Sequence, residues 1–378
     1  MINSEYNEEK SVTEQQYPQQ QQHHHHHHHH HKKKRSARSI LIMIVVILVC
    51  VVAVAIIAWR VMDYYGLKRL KDNTSSASPV MVLPIDEESE STEDGEWKDG
   101  WVRYKGSVYE YNSDILTFLF MGIDSNKKAA KAKDGISGGQ ADTLFLLIMN
   151  PDDQTVKMMA INRNTMTDID VYDKSGAYLG TGKGQICLSH GYGDGMEQSC
   201  ERTEKAVSNL LYSLPINGYC SINMGCIPTL NDAVGGVTVN KMTYSDGKII
   251  QGDTETLYGE DAYSYLRNRG EDFDSASYRL EKQKAYINSF MKKLRIQIKN
   301  DPRVVISIYK SISPYIVTDV DMSEITYLAD NFAKYQFDSN IYSMQGTVKV
   351  GKTEHEEFTY DEDQLYGMMI DLFYKKVK

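Results

Sequence analysis

The chain contains no Cys-x-x-Cys pair, no internal repeat and, past residue 60, no surplus of basic residues. Each absence excludes something. Without closely spaced cysteines a structural zinc site is disfavoured. Without a repeat there is no solenoid or propeller. Residues 61–378 carry 35 Lys and Arg against 47 Asp and Glu, a net charge of −12. That balance argues against nucleic acid as the partner, because duplex binding needs a basic face, although it leaves room for a local basic pocket. The first 31 residues have almost no large apolar side chain apart from two tyrosines, and they hold a Gln-rich stretch and nine consecutive histidines, His23 to His31. Such a segment cannot build a core and reads as a low-complexity tail. Polyhistidine binds transition metals, so a purification tag and a metal buffer are both open readings of it.

Ile40 to Ala58 is a run of nineteen apolar residues without a charge, Gly or Pro. It is long enough to cross a hydrocarbon core of about 30 Å. The flank Lys32-Lys33-Lys34-Arg35-Ser-Ala-Arg38 is basic, which places the N-terminus in the cytosol. A cleaved signal peptide competes, but the run exceeds an ordinary h-region and Trp59-Arg60-Val61-Met62 offers no small-residue cleavage site. The predicted organisation is a cytoplasmic tail (1–39), a transmembrane helix (40–58), an acidic extracytoplasmic stalk (59–104) and one extracytoplasmic domain (105–378).

Four cysteines, Cys187, Cys200, Cys220 and Cys226, fall outside the membrane segment, an even number where disulfides can persist. Three pairings are possible. Cys187–Cys200 is the favoured one, with zinc ligation and free buried thiols as the alternatives.

The domain alternates two patterns. Ile115–Ile123, Thr143–Asn150, Lys157–Ile161 and Cys220–Met224 are apolar runs expected of buried strands. Glu201–Leu214, Gly259–Asn268, Arg279–Arg295, Ser323–Lys334 and Asp361–Tyr374 carry helical spacing, and the glycines after Asn231-Asp-Ala-Val mark a helix end. The predicted fold class is α/β (α+β), a single layered domain with a mixed central β-sheet flanked by helices.

Charged residues recur at the strand ends, where open α/β sheets gather ligand-binding groups. Asp124 follows the first strand, Asp142 immediately precedes the second, and Arg163 terminates the third. Arg267 and Arg269 close one helix, while Arg279, Lys282 and Gln283 open the next at spacings that share a face. Taken singly, a surface ion pair, a turn cap or a wet helix face, the last especially for Lys282, explains each of them. Together they point to phosphate chemistry. Several guanidinium forks can hold a pyrophosphate, and two carboxylates suit Mg²⁺.

The string FMGIDS, GGQADTLFLL, INRNTMTDI, QICLSHGYGDG, YCSIN, LNDAVGGV, YLRNRG, YRLEKQ and YDEDQLYGMMIDLFY, in that order from about Lys105 onward, resembles the LytR–CpsA–Psr family. The resemblance implies a membrane-anchored enzyme that moves a secondary wall polymer, such as teichoic acid or capsular polysaccharide, from an undecaprenyl-pyrophosphate carrier to peptidoglycan. It implies that Asp124 and Asp142 serve Mg²⁺ and catalysis with Arg163 and Arg267. It also implies that Arg163, Arg267, Arg269 and Arg279 cradle the pyrophosphate, with Lys282 and Gln283 beside them. The polyprenyl tail would enter a groove between sheet and helices, and water in place of the acceptor would give pyrophosphatase activity. The alternatives are a non-catalytic polyprenyl-phosphate-binding or assembly scaffold and, less in keeping with so short an inner tail, a membrane-tethered transcriptional regulator. The chain departs from the family pattern at Asn126, Gln140 and Asn162-Arg163-Asn164, and again at Lys282. Two positive charges and one carboxylate are thereby missing or muted around the site.

Overall fold

Two extended apolar runs, paired by their backbones, form the centre of the domain. The computed structural model describes residues 54, 57–58, 60–72, 78–81, 97–98, 100–245, 248–267, 275–352 and 354–377. The first helix, α1 (60–72), precedes strands β1 (Trp101–Tyr104) and β2 (Ser107–Tyr111). β3 (Leu116–Ile123), β4 (Ala141–Asn150) and β5 (Thr155–Ile161) follow, then the hairpin β6 (Met166–Tyr172) and β7 (Tyr178–Gln185). Next come α2 (Leu188–Gly191), α3 (Glu197–Leu210), β8 (Gly218–Asn223) and α4 (Ile227–Ala233). A second hairpin, β9 (Val237–Ser245) and β10 (Lys248–Leu257), leads to α5 (Glu260–Arg267), the long α6 (Ser275–Asn300) and α7 (Val304–Ile312). The chain continues through β11 (Ile316–Thr318), α8 (Met322–Lys334), β12 (Gln336–Ser343), β13 (Gly346–Val350), β14 (Glu356–Tyr360), α9 (Glu362–Phe373) and β15 (Tyr374–Lys376).

The main sheet has the order β11-β8-β3-β4-β5-β12. β3, β4 and β5 are antiparallel neighbours, whereas β8 runs parallel to β3 and β12 parallel to β5. The sheet is therefore mixed, as expected. β4 is buried along nearly its whole length because both faces are covered. Leu144, Leu146 and Met159 pack with Val207 of α3 and Met369 of α9 on one face. Phe145, Leu147 and Met158 pack with Ile298 of α6 and Phe332 of α8 on the other. Three layers result.

Local chemistry sets several ends. Asp321 caps α8 by accepting from the Ser323 and Glu324 amides, while Glu324 accepts from the Asp321 amide, a closed capping box. α4 stops at Gly235 and Gly236, both at positive φ (77° and 76°), a backbone that side chains with Cβ adopt at a cost.

Residues 60–72, within the segment assigned by sequence to the stalk, are helical and packed. A Cβ on Gly66 would lie 2.5 Å from the Ser323 carbonyl oxygen of α8, and Leu70 is fully buried. Asn217 donates to the Leu70 carbonyl at 2.9 Å. Among the described residues no helix is long and apolar enough to cross a membrane, and the run Ile40–Ala58 lies almost entirely outside them.

Candidate active site

β3, β4 and β5 are in register at one end of the sheet, and their charged flanks meet there. The Asp124 amide donates to the Gln140 carbonyl at 3.2 Å, and the Asp142 amide donates to the same carbonyl at 3.1 Å. The backbones of both aspartates thus close on one peptide group, although their carboxylates stand in different surroundings. Asp142, predicted to precede its strand, is the second residue of β4 and only 4% exposed.

Two guanidiniums converge on Asp142. Arg163 Nη1 is 3.0 Å from Oδ1, and Arg279 Nη1 donates to Oδ2 at 3.0 Å. Arg279 is itself buried, at the start of α6. Arg163 also donates to the side-chain carbonyl of Gln140 and lies 3.3 Å from Cys187 Sγ. Its Nε is buried and has no hydrogen-bond partner among the described residues. An unsatisfied buried donor of this kind costs free energy until an acceptor reaches it.

The second pair is more open. Arg267 Nη2 lies 3.8 Å from Asp124 Oδ1, and Nη1 donates to the Tyr263 hydroxyl at 2.7 Å. The Arg267 side chain is 55% exposed. Gln283 donates to Thr143 Oγ1 at 2.7 Å, so α6 grips β4 through adjacent turns at Asp142 and Thr143.

Lys282 departs from expectation. It is 5% exposed rather than on a wet face, with Nζ over the rings of Tyr265 (4.5 Å) and Tyr278 (5.5 Å). Burial lowers its pKa, opposed by Glu255. Its described contacts turn towards α5, away from Asp142. Arg269 lies outside the described residues.

The favoured disulfide is corrected: all four cysteines are free thiols. Cys187 faces the Arg163 guanidinium, and burial raises its pKa against the pull of that charge. Cys200 instead lies 4.0 Å from His190 Nε2. Each sulfur is engaged on a different side of α2.

His190 was not singled out from sequence. It is fully buried, and its Nδ1 lies 3.0 Å from the Gly138 carbonyl and 3.2 Å from that of Gly139. Carbonyls only accept, so Nδ1 carries the proton. Burial holds the imidazole pKa below its ordinary value. The neutral ring thereby fixes the loop that delivers Gln140 and Asp142. A Cβ on Gly138 would stand 2.4 Å from the His190 carbonyl oxygen, so the loop approaches α2 as closely as glycine permits.

The departures from the family pattern are built into the fold. Asn164 donates to Glu356 Oε2 at 3.2 Å and accepts from Gln185 at 3.2 Å. Asn162 Oδ1 accepts the Asn164 amide at 2.9 Å. The Asn126 carbonyl oxygen occupies the space where a Cβ on Gly225 would sit.

A cavity of about 340 Å³ opens between the sheet and α6–α8. Phe120 and Phe145 form its floor, Phe290 and Leu294 its α6 wall, and Ile308 its α7 side. Gly122, Thr143 and Gln283 belong to its lining, Thr143 directly following Asp142 in the chain and Gln283 standing one helical turn beyond Arg279. Seven residues of α6, spread from Gln283 to Ile298, line it, a span of about 22 Å at the helical rise.

Among the described residues no three His, Cys, Asp or Glu side chains gather as a self-sufficient metal site. The half-exposed Asp124 carboxylate suits a Mg²⁺ ion that draws most of its oxygens from phosphate and water, with Asp142, ion-paired to Arg163 and Arg279, as the second protein carboxylate.

Residues 81–369 match the model of the LytR_cpsA_psr family. An Enterococcus faecalis protein named polyisoprenyl-teichoic acid–peptidoglycan teichoic acid transferase TagU is 30% identical over 274 residues, covering 70% of this chain and 83% of that protein. The protein of the same name from Halalkalibacterium halodurans is 30% identical over 182 residues, and the match spans only 53% of its length and 47% of this chain. Among solved structures, protein gbs0355 from Streptococcus agalactiae aligns with a TM-score of 0.54 at 19% identity, covering 70% of this chain and 91% of that one. That likeness is one of fold.

Proposed function

Since the chain belongs to the LytR–CpsA–Psr family, we propose that it is a membrane-anchored, extracytoplasmic transferase of a secondary cell-wall glycopolymer. The donor is a polymer, such as teichoic acid, on an undecaprenyl-pyrophosphate carrier, and the acceptor is peptidoglycan, in keeping with the name of the Enterococcus faecalis relative. One observation carries this reading: a long apolar groove ends at a buried arginine pair. Only a ligand with an extended hydrocarbon tail and an anionic head satisfies both parts.

In this reading the tail lies along α6 and the pyrophosphate meets Arg163, Arg279 and Arg267. Arg163 Nε, buried and without a partner among the described residues, is a donor for one phosphate oxygen. Arg267, on the exposed rim, closes over the head group, and Arg269, two residues on in sequence, adds a further positive charge. Lys282 adds positive charge from behind the aromatic rings, and Gln283 marks the junction of head and tail. Asp124 and Asp142 would hold Mg²⁺, which when bound neutralises pyrophosphate charge. An acceptor hydroxyl attacks the phosphorus next to the glycan, and the bond from that phosphorus to the bridging oxygen breaks. Undecaprenyl phosphate leaves with the electron pair, and Asp124, the more open carboxylate, takes the hydroxyl proton. Preorganised guanidiniums stabilise the charge that grows on the bridging oxygen. Water in the acceptor's place gives pyrophosphate cleavage. The neutral Gln140 and Asn164 favour a second reading, a lipid-phosphate-binding scaffold without turnover.

The test uses the full chain in detergent with undecaprenyl pyrophosphate, with and without Mg²⁺, following released phosphate and retained lipid. Metal-dependent release that Arg267→Ala abolishes is the expected result. Tight retention without release selects the scaffold, and no retention overturns both readings.

A further inference from the structure

Across the functional end of the sheet the strands run β3, β4, β5, β12. The apolar groove opens beside β3 and β4, at Gly122 and Thr143. On the other side of Asp142 and Arg163, beside β5 and β12, lies a cavity of about 360 Å³ of mixed lining, where Asn162, Tyr278, Glu281 and Ser343 stand with the apolar Leu280 and Met344. Asn162 and Tyr278 are the chain neighbours of Arg163 and Arg279. Ser343 also lines a second cavity of about 970 Å³, which passes Lys284 and Tyr342 to reach Tyr104, Gln364 and Asp371. The two form one trough leading from the arginines along the edge strand β12.

We propose that this trough is the acceptor site, and that it holds an uncharged strand of acetamido sugars whose free hydroxyl points to the arginine cluster. The assignment rests on the transferase reading above. Three features of the trough select that ligand. Tyrosine rings offer apolar faces with polar rims, and Lys284, Asn340, Gln364 and Asp371 supply both donors and acceptors, as a chain of hydroxyl and acetamido groups requires. Its charges, Lys105 and Lys284 against Glu281, Asp361, Asp363 and Asp371, sum to −2, which disfavours a polyanionic donor polymer there. Its position matches the reaction geometry: in-line displacement brings the nucleophile in opposite the leaving group, and the leaving polyprenyl phosphate is on the groove side. The floor of the trough is tightly built. A Cβ on Gly367 would stand 2.6 Å from the Tyr104 hydroxyl oxygen, so glycine lets that ring lie on α9.

The experiment titrates the full chain in detergent with the β-1,4-linked tetramer of N-acetylglucosamine, by calorimetry and ligand-observed NMR. The parent chain is expected to bind it, with Kd raised at least about tenfold by Tyr342→Ala and by Asp371→Ala, and changed less than about twofold by Arg267→Ala, since the exposed Arg267 side chain faces Asp124 instead. Asp371 is exposed, so its variant tests the trough even where Tyr342→Ala fails to fold. No binding by the parent chain overturns the proposal. So does binding indifferent to both trough variants, binding lost in Arg267→Ala, or displacement of the tetramer by poly(glycerol phosphate). Tyrosine-dependent tetramer binding in a parent chain that neither retains nor cleaves undecaprenyl pyrophosphate upholds the trough and overturns the transferase reading instead.

Discussion

Asp142 and Arg279, 137 residues apart in the chain, meet at 3.0 Å in the buried floor of the site. The contact ties α6 to β4, and Arg163 completes it from the end of β5. Removing one member of a buried ion pair leaves the other charge without its counterpart, a cost of about 3–5 kcal/mol. Asp142→Ala is therefore expected to lower the unfolding free energy by about that much as well as abolish turnover. Urea unfolding followed by circular dichroism measures the first effect. A change below about 1 kcal/mol would show that the cluster contributes nothing net to stability.

Arg267→Ala should behave differently. The side chain is half exposed and pairs with Asp124 only at 3.8 Å. Stability is expected to stay within about 1 kcal/mol while lipid-pyrophosphate cleavage is lost. Equal thermal stability with full activity would remove Arg267 from the site.

The groove makes a prediction about chain length. Leu294 lines it eleven residues beyond Gln283, about 16 Å along α6. Leu294→Trp should weaken binding of undecaprenyl pyrophosphate by more than about tenfold, since overpacking there blocks the far end. Geranyl pyrophosphate, whose short tail stops before Leu294, should bind as before. Equal losses for both lipids would mean that the tail lies elsewhere.

Glu204 on α3 offers a pH test. Burial, with Asp319 and Glu201 nearby, raises its pKa from 4.5 to about 7. The folded state thus holds this proton more tightly than the unfolded chain, so stability is lost as pH rises from 4.5 through 7. Glu204→Gln should leave the unfolding free energy unchanged at pH 4 and raise it at pH 8, by an amount on the order of 2 kcal/mol. A shift of the same size at both pH values would contradict the assignment.

Free thiols at Cys187, Cys200, Cys220 and Cys226 mean that a reductant should not alter the thermal midpoint. Calorimetry with and without dithiothreitol checks this. A fall of several degrees on reduction would reveal a bridge.

The central strands were legible because they are buried on both faces and so read as unbroken apolar runs. α6 and α8 were legible from spacing, and the observed α6 (Ser275–Asn300) extends the predicted Arg279–Arg295 at both ends. The strands β7 and β10 were missed because their residues are largely exposed and give no clear alternation. At the site, the aspartates and arginines could be named from their position beside strands. Their pairings could not, since nothing local connects Asp142 to Arg279. Cys187 was read as half of a disulfide because cysteine spacing carries no information about what the sulfur faces. Tyr263, four residues before Arg267, was findable from the helical i, i+4 relation. His190 was not, because its function is to hold a loop fifty residues upstream.

α6 carries Arg279 and Gln283 in its first turns and the wall of the apolar groove along the rest. Head and tail of an amphiphile are thus read by successive stretches of a single rod, in the manner of a caliper with one fixed jaw. The length of tail accommodated depends on residues 287–298, while the chemistry of the head depends on residues 279–283. A descendant of this protein could change carriers by rewriting the distal three turns, without disturbing the charges that meet the phosphorus.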